Sequence, residues 1–264
     1  MVIRKKNVLI YKDEGVSLDT FRHTEAMLKY FFWQKDIKPI NADQVISGGW
    51  QDNALMFVMP GGADLEYAKK LNGKGNENIK NYVMEGGKFL GICAGAYYAS
   101  SEVEFDKGGL LEVLGKRELG LFPGKSIGPA LSYYNYTSNE GASAAEVTYT
   151  AQLMKMDLNY KFKLYHHGGG FFENAEFLPN VKVLLNYVTE NATKLAAIVK
   201  IGIGKGQALL SGVHFEIDPK LLTHYDDPYL QSIIPELEKS EWNRETMLRL
   251  HFFDHRFLAL DNEL

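Results

Sequence analysis

Cysteine occurs once in these 264 residues, and it stands between two glycines in Gly91-Ile-Cys93-Ala-Gly95. The apolar residues Phe89, Leu90 and Ile92 read as a buried strand, and Ala94 to Ser100 reads as the start of a helix. G-x-C-x-G between strand and helix is the pattern of a nucleophile elbow. Glycines two residues to either side let strand and helix approach where a Cβ would clash, which leaves the cysteine on a strained turn at the carboxyl end of a sheet. At a helix N-terminus the dipole and free N–H groups favour thiolate. The chemistry on offer is attack on a carbonyl carbon. The plain alternative is a small buried hydrophobe, which is what most lone cysteines are.

A cysteine nucleophile needs a base, and the base needs a group to orient it. Of seven histidines, His214 has the best surroundings, in Gln207-Ala-Leu-Leu-Ser-Gly-Val-His214-Phe-Glu216. Residues two apart on a strand share a side, so Glu216 can orient the imidazole. Without the cysteine, the same pair would read as two solvated residues at a strand end. Pro60-Gly61-Gly62-Ala63-Asp64 supplies what is still missing. Paired glycines at a strand's carboxyl end let backbone N–H groups face a reacting centre. That of Gly61 or Gly62, with that of Ala94, would form an oxyanion hole. A tight turn needing positive φ is the alternative reading.

Positioning these groups requires several strands that end on one edge. Val8 to Tyr11 reads as a buried strand, followed by a loop ending in the N-cap residue Ser17 and a helix over 18–33 with apolar Phe21, Met27, Leu28, Phe31 and Phe32. Lys38 to Asn41 holds a short second strand and Ala54 to Met59 a third, leading into Gly61-Gly62. Leu65 to Leu71 and Ile79 to Glu85 read as helices, separated by a break at Gly73-Lys-Gly75. The alternation predicts an α/β fold with a parallel sheet and helices on both faces. Val181 to Val188 and Ala196 to Ile203 are further strands; Gly202-Ile-Gly204-Lys-Gly206 is a hairpin turn that sends the chain towards His214. The tail from Pro219 is helical in pattern, with Leu230, Ile234, Leu237, Met247, Phe252 and Phe257; His251 and His255 on it read as surface or packing residues.

Between Val103 and Phe172 the pattern changes to short apolar runs and glycines, a β-rich segment inserted at about 103–172 into a single domain spanning 1–264. Its end, Tyr165-His166-His167-Gly-Gly-Gly170-Phe171, carries paired histidines but no Asp, Glu or Cys at ligand spacing, so no metal is expected and no cofactor is implied. The glycines would let this loop fold over the pocket. Asp64, Glu66, Tyr67, Tyr97, His166, His167 and Phe171 are the residues expected to bind substrate there.

Composition excludes several classes. Apolar residues make up 45% and charged residues 23%, an ordinary globular profile. A net charge of −4 gives no electrostatic footprint for nucleic acid or an anionic membrane. One cysteine excludes an internal disulfide framework and suits a reducing cytoplasm. The basic Met1 to Asn7 is followed by an apolar run too short for a signal peptide, and the sequon Asn191-Ala-Thr193 has no glycosylation context.

Pro-Gly-Gly after a strand, then Gly-x-Cys-x-Gly, then His-x-Glu after a Gly-x-Gly-x-Gly hairpin, resembles the class I glutamine amidotransferase superfamily. Within it, Met59-Pro-Gly-Gly-Ala-Asp-Leu-Glu-Tyr67 and Gly91-Ile-Cys-Ala-Gly-Ala-Tyr-Tyr98 are similar to the N-terminal domain of eukaryotic-type biotin–protein ligases, which has free-standing bacterial relatives. The resemblance covers almost the whole chain. It implies a flavodoxin-like sheet, parallel but mixed at one edge, and a triad of Cys93, His214 and Glu216. Tyr97 stands where glutamine-hydrolysing members carry Gln, so glutaminase activity is not expected. No biotinyl-adenylate glycine-arginine loop is found, so the chain is not expected to biotinylate by itself; a synthetase or ligase partner would supply that step.

Two functional classes follow. One is a cysteine-dependent amidotransferase or hydrolase acting on an amide, ester or peptide carbonyl of a small molecule or peptide. The other is a regulatory or small-molecule-binding module that keeps the framework without turnover. The triad favours the first, Tyr97 the second.

Overall fold

In a computed structural model, residues 7–131, 133–150, 160–191 and 194–249 are described. The chain begins with β1 (Asn7–Tyr11), α1 (Leu18–Phe31), β2 (Asp36–Ile40), α2 (Ala42–Ser47), β3 (Ala54–Met59), α3 (Asp64–Leu71), α4 (Lys74–Met84), β4 (Lys88–Ile92) and α5 (Ala94–Tyr98). A strand-rich stretch follows: β5 (Ser100–Phe105), β6 (Val113–Lys116), β7 (Phe122–Gly128), β8 (Ser143–Tyr149), β9 (Lys161–His166), β10 (Phe171–Phe172), β11 (Val181–Tyr187), β12 (Leu195–Ile203) and β13 (Gly206–Ser211). Three helices close the described chain: α6 (Pro219–Leu222), α7 (Pro228–Lys239) and α8 (Glu241–Met247).

The architecture is mixed α/β around one large sheet. Strands β2, β1, β3, β4 and β13 lie side by side and parallel. Beyond β13 the pairing turns antiparallel, through β12 to β11, β8 and β9 on one branch. The other branch runs from β12 through β10 to β7, β5 and β6, antiparallel except between β7 and β5, which are parallel. The register matters most for function. Met59 pairs with Gly91, and Gly91 with Leu210, so β3, β4 and β13 end level. Their following turns, starting at Pro60, Cys93 and Gly212, emerge on one edge.

Two apolar layers hold the sheet. One gathers Val8, Ile10, Val58, Leu90 and Ile92 with Phe21, Met27 and Leu28 of α1. The other gathers Tyr11, Phe57, Met59 and Phe89 with Tyr67, Leu71, Ile79 and Val83 of α3 and α4. The near-continuous apolar character of β3 and β4 is what burial on both faces requires. Ser17 caps α1 by accepting the Thr20 N–H, and Asn41 with Gln44 forms a reciprocal cap on α2.

Three details differ from the sequence reading. The break before Ile79 is confined to Gly73: α4 starts at Lys74 and runs through Gly75, which packs on Leu71, because α3 and α4 sit close enough to need a residue without a side chain. A short helix, α2, intervenes between Asn41 and Gly48. His214 and Glu216 lie beyond β13 in a turn rather than on the strand itself. Phe252 and Phe257, His251 and His255, residues 1–6 and residues 192–193 of the sequon lie outside the described residues. No helix among the described residues is long and apolar enough to cross a membrane.

Candidate active site

Cys93 follows β4 directly and is the N-cap of α5, with φ 52° and ψ −109°. Positive φ in a non-glycine residue costs on the order of 1–3 kcal/mol and persists only where surroundings enforce it. Here they do. The Cys93 N–H donates to the carbonyl of Ser211 on β13 at 2.8 Å. A Cβ at Gly95 would lie 2.1 Å from the carbonyl oxygen of Met59, and one at Gly91 would lie 2.7 Å from that of Gly95. The two glycines therefore let α5 press onto β3 and β4, and that packing pushes the cysteine out of the sheet edge.

His214 is fixed at its backbone by donating to the Tyr165 carbonyl at 2.8 Å, where the end of β9 meets it. Its Nδ1 donates to Oε1 of Glu216 at 2.7 Å, and both side chains are buried. Cys93 and His214 line the same cavity, close enough to interact electrostatically. With Nδ1 on Glu216, Nε2 is the nitrogen left for the thiol. Burial alone would push the imidazole pKa down; the Glu216 carboxylate, with Cys93, overcomes it and holds His214 well above the usual histidine range. The turn between the pair is anchored by Arg244, whose guanidinium donates to the Phe215 carbonyl at 2.8 Å.

The Gly61-Gly62 turn closes the third side. The Gly61 carbonyl accepts from the Ser17 N–H at 3.1 Å, the Thr20 hydroxyl at 2.9 Å and the Tyr67 hydroxyl at 3.1 Å. Gly62 has φ +152°, and a Cβ there would fall 2.0 Å from the Gly15 carbonyl oxygen. A Cβ on Gly61 would stand 3.1 Å from Cε1 of His214. The turn is thus built against the His214 ring and held from behind by α1 and α3.

Two cavities open at Cys93. A narrow one of about 20 Å³, room for little more than a water, is lined by Gly62, Asp64, Ala94, Tyr97, Phe105, Tyr134 and Tyr136. A larger one of about 140 Å³ is lined by Ser17, Thr20, Asn139, Tyr165, His167, His214 and Ile217. Cys93, Gly62 and Tyr134 border both. A carbonyl over the sulfur would lie between two unlike chambers, one mainly aromatic and one walled by polar and apolar side chains alike.

Of the residues expected to bind substrate, Asp64 and Tyr97 line the narrow cavity and His167 the larger one. Asp64 is ion-paired with Arg117 at 2.7 Å; its burial raises the carboxyl pKa, with Arg117 opposing. Tyr97 is buried and donates to the Gly168 carbonyl at 3.0 Å, tying the glycine loop to α5. The carbonyl of His167 lies 3.9 Å from the Cys93 sulfur. Tyr67, Glu66, His166 and Phe171 do not line either cavity. Tyr67 braces the Gly61 turn, and Glu66 pairs with Lys69 on α3. His166 is fully buried and donates from Nε2 to the Gly169 carbonyl at 2.9 Å. Phe171 pairs with Ile127 in the sheet. The glycines of this loop serve a crossing: a Cβ on Gly169 would lie 1.6 Å from the Gly212 carbonyl oxygen. No group of three or more His, Cys, Asp or Glu side chains is placed to hold a metal among the described residues.

Tyr134, Tyr136 and Asn139 of the inserted stretch, Phe105, and Ser17, Thr20 and His23 of the first loop and helix also face the cavities. The sequence reading did not single them out for the site. Tyr133-Tyr134-Asn-Tyr136 was a usable signal, an aromatic cluster in a segment with no regular period.

Residues 6–261 match the family described as biotin-protein ligase, N terminal. An uncharacterised protein of Chlamydia muridarum is 38% identical over 221 residues, covering 81% of this chain and 82% of that protein. The biotin–protein ligase of Schizosaccharomyces pombe is 33% identical over 212 residues, covering 80% of this chain but only 33% of the ligase. Among solved structures, a beta-galactosidase from Rahnella sp. R3 aligns with a TM-score of 0.48 and 14% identity, over 90% of this chain and 32% of that one.

Proposed function

This chain belongs to the biotin-protein ligase N-terminal family, and on that premise we propose that it is a cysteine-dependent acyl-transfer protein of the class I glutamine amidotransferase type. Cys93 attacks an amide, ester or peptide carbonyl of a small molecule or peptide. His214 takes the thiol proton and returns it to the leaving group, and Glu216 orients the imidazole and balances its charge. The N–H groups of Gly62 and Ala94, with Gly61 as the alternative donor in the first turn, receive the developing oxyanion. Water, or an acceptor brought by a synthetase or ligase partner, then releases the acyl group. A flavodoxin-like reading of one domain over 1–264, with an insertion at about 103–172, rests on the parallel order β2-β1-β3-β4-β13, since ligands in such sheets sit at the strands' carboxyl ends. A cytoplasmic setting would keep the thiol reduced.

The observation that carries this reading is the buried His214–Glu216 hydrogen bond, with His214 lining the same cavity as Cys93 and the cysteine held at positive φ. Free glutamine is not the proposed substrate, because Tyr97 fills the space one turn after the nucleophile. A second reading is a binding module in which the larger cavity beside Cys93 holds a ligand without turnover. Release of ammonia, amine or alcohol from a panel of primary amides, short peptides and esters separates the two. Turnover lost in Cys93→Ser supports the enzyme; binding measured by calorimetry with no release from any member supports the module. Robust glutamine hydrolysis dependent on Cys93 would refute the role given to Tyr97.

A further inference from the structure

The walls around Cys93 carry fixed charge of one sign. Among the described residues no lysine or arginine lines either cavity, and the carboxylates are Asp64 in the narrow one and Asp19 in the larger. Asp64 is already neutralised by Arg117 at 2.7 Å. Asp19 is not matched in this way. Its contacts, with Arg22 at 3.4 Å and the Tyr225 hydroxyl at 3.2 Å, both fall on Oδ1, and the Arg22 side chain is 70% exposed, where an ion pair is weak. Oδ2 has no partner among the described residues. The charge of Asp19 acts on His23, Tyr165 and Tyr225, which share the wall with it. Burial holds His23 and His167 below the ordinary histidine range, so neither adds positive charge near neutral pH. His214 is balanced by Glu216.

The rest of the larger cavity suits the remainder of an organic cation. Tyr165 is 8% exposed and stands edge-on to the His214 ring, 5.6 Å between centroids, yet its hydroxyl has no hydrogen-bond partner among the described residues. Buried hydroxyls are nearly always paired. The cavity is the space this one borders, and its oxygen can accept from an N–H. Ile217, Leu222 and Leu230 give the same space an apolar side. At about 140 Å³ it is of the size that holds a benzene ring, about six heavy atoms.

We propose that the larger cavity binds a short alkylammonium group of the substrate, with Asp19 as its counter-ion and its stem against Ile217, Leu222 and Leu230. That this group belongs to the departing amine rests on the acyl-transfer reading above, in which His214, in the same wall, protonates the leaving group. Binding of the cation does not rest on it.

Cys93 is the only cysteine, so it reports the charge preference of the cavity. The full-length chain is treated with aminoethyl, sulfonatoethyl and methyl methanethiosulfonate, which are cationic, anionic and neutral. In each case the thiolate attacks the sulfenyl sulfur, a mixed disulfide forms and methanesulfinate leaves, so no turnover is needed. Relative to 2-mercaptoethanol, the cation-to-anion rate ratio should be raised about tenfold or more, and Asp19→Asn should lower it about fivefold. Asp19→Glu, which keeps the charge, should restore most of the preference. Asp36→Asn, where β2 begins at the opposite end of the sheet, should leave it unchanged. Asp19→Ser replaces the asparagine variant should that not fold. A ratio equal to that of 2-mercaptoethanol overturns the inference, as does a ratio that survives loss of Asp19 or a Cys93 that no reagent modifies. N-acetyl-1,4-diaminobutane should be hydrolysed faster than N-acetylbutylamine; equal rates overturn the assignment to the departing amine. A raised ratio with neither amide hydrolysed rejects only the proposed function. Turnover of amides with an unraised ratio rejects the cation site alone.

Discussion

Nδ1 of His214 lies 2.7 Å from Oε1 of Glu216, with both side chains inside the protein. The pair sets a stability dependence as well as a chemical one. A folded-state imidazole held above its unfolded value of about 6.5 stabilises the fold fully below that value, and the benefit is lost as pH rises through the folded value. Glu216→Gln removes the leading cause of the upward shift. Its stability deficit, measured by urea unfolding, should therefore be widest between about pH 5 and 6.5 and narrow on the alkaline side. A deficit that grows with pH would contradict the assignment.

His166 gives the opposite slope. Burial pushes its pKa down to about 4. The unfolded chain takes up a proton near pH 6.5 while the folded chain refuses it, so stability falls as pH drops from about 6.5 to about 4. The loss should be on the order of 3 kcal/mol, and His166→Gln should flatten this part of the profile even if it lowers stability overall. An equally steep acid slope in the variant would show that another group is responsible.

Arg117 and Asp64 form a buried ion pair at the edge of the narrow cavity. Arg117→Met strands a buried carboxylate, a loss of about 3–5 kcal/mol near neutral pH. Because Asp64 already has a raised pKa from burial, the penalty should ease in acid, where the carboxyl protonates. Thermal melts of the variant at neutral and acid pH check this; a penalty that is constant with pH would mean the pair contributes no charge effect.

Gly95→Ala tests the elbow. Its Cβ would meet the Met59 carbonyl at 2.1 Å, and backbone is what must shift. Overpacking of this kind costs about 1–3 kcal/mol, a drop of roughly 3–10 °C in melting temperature for a chain of this size. An unchanged melting temperature would show that α5 does not need its close seat on β3.

These positions divide by how much of their environment is local. Gly91, Cys93 and Gly95 were legible because the elbow is a contiguous pattern whose steric reason lies within five residues. The level ends of β3, β4 and β13 followed from apolar runs and the hairpin before Gly206. Tyr134, Tyr136 and His23 were not legible: they reach the cavities by strand pairings and helix packing across more than forty residues, which no local period encodes. His166 and His167 illustrate the same limit. Adjacent in sequence, they part at the end of β9: His166, its last residue, is buried, and His167, just beyond it, lines the cavity.

In the proposed reaction Cys93 forms a covalent acyl intermediate with His214 as its base. Intact-mass analysis after mixing with p-nitrophenyl acetate at neutral pH tests it most directly. One acetyl group per chain should appear on Cys93, be absent in Cys93→Ala, and form at least about tenfold more slowly in His214→Ala. Acetylation elsewhere only, or an equal rate of Cys93 acetylation without His214, would contradict it.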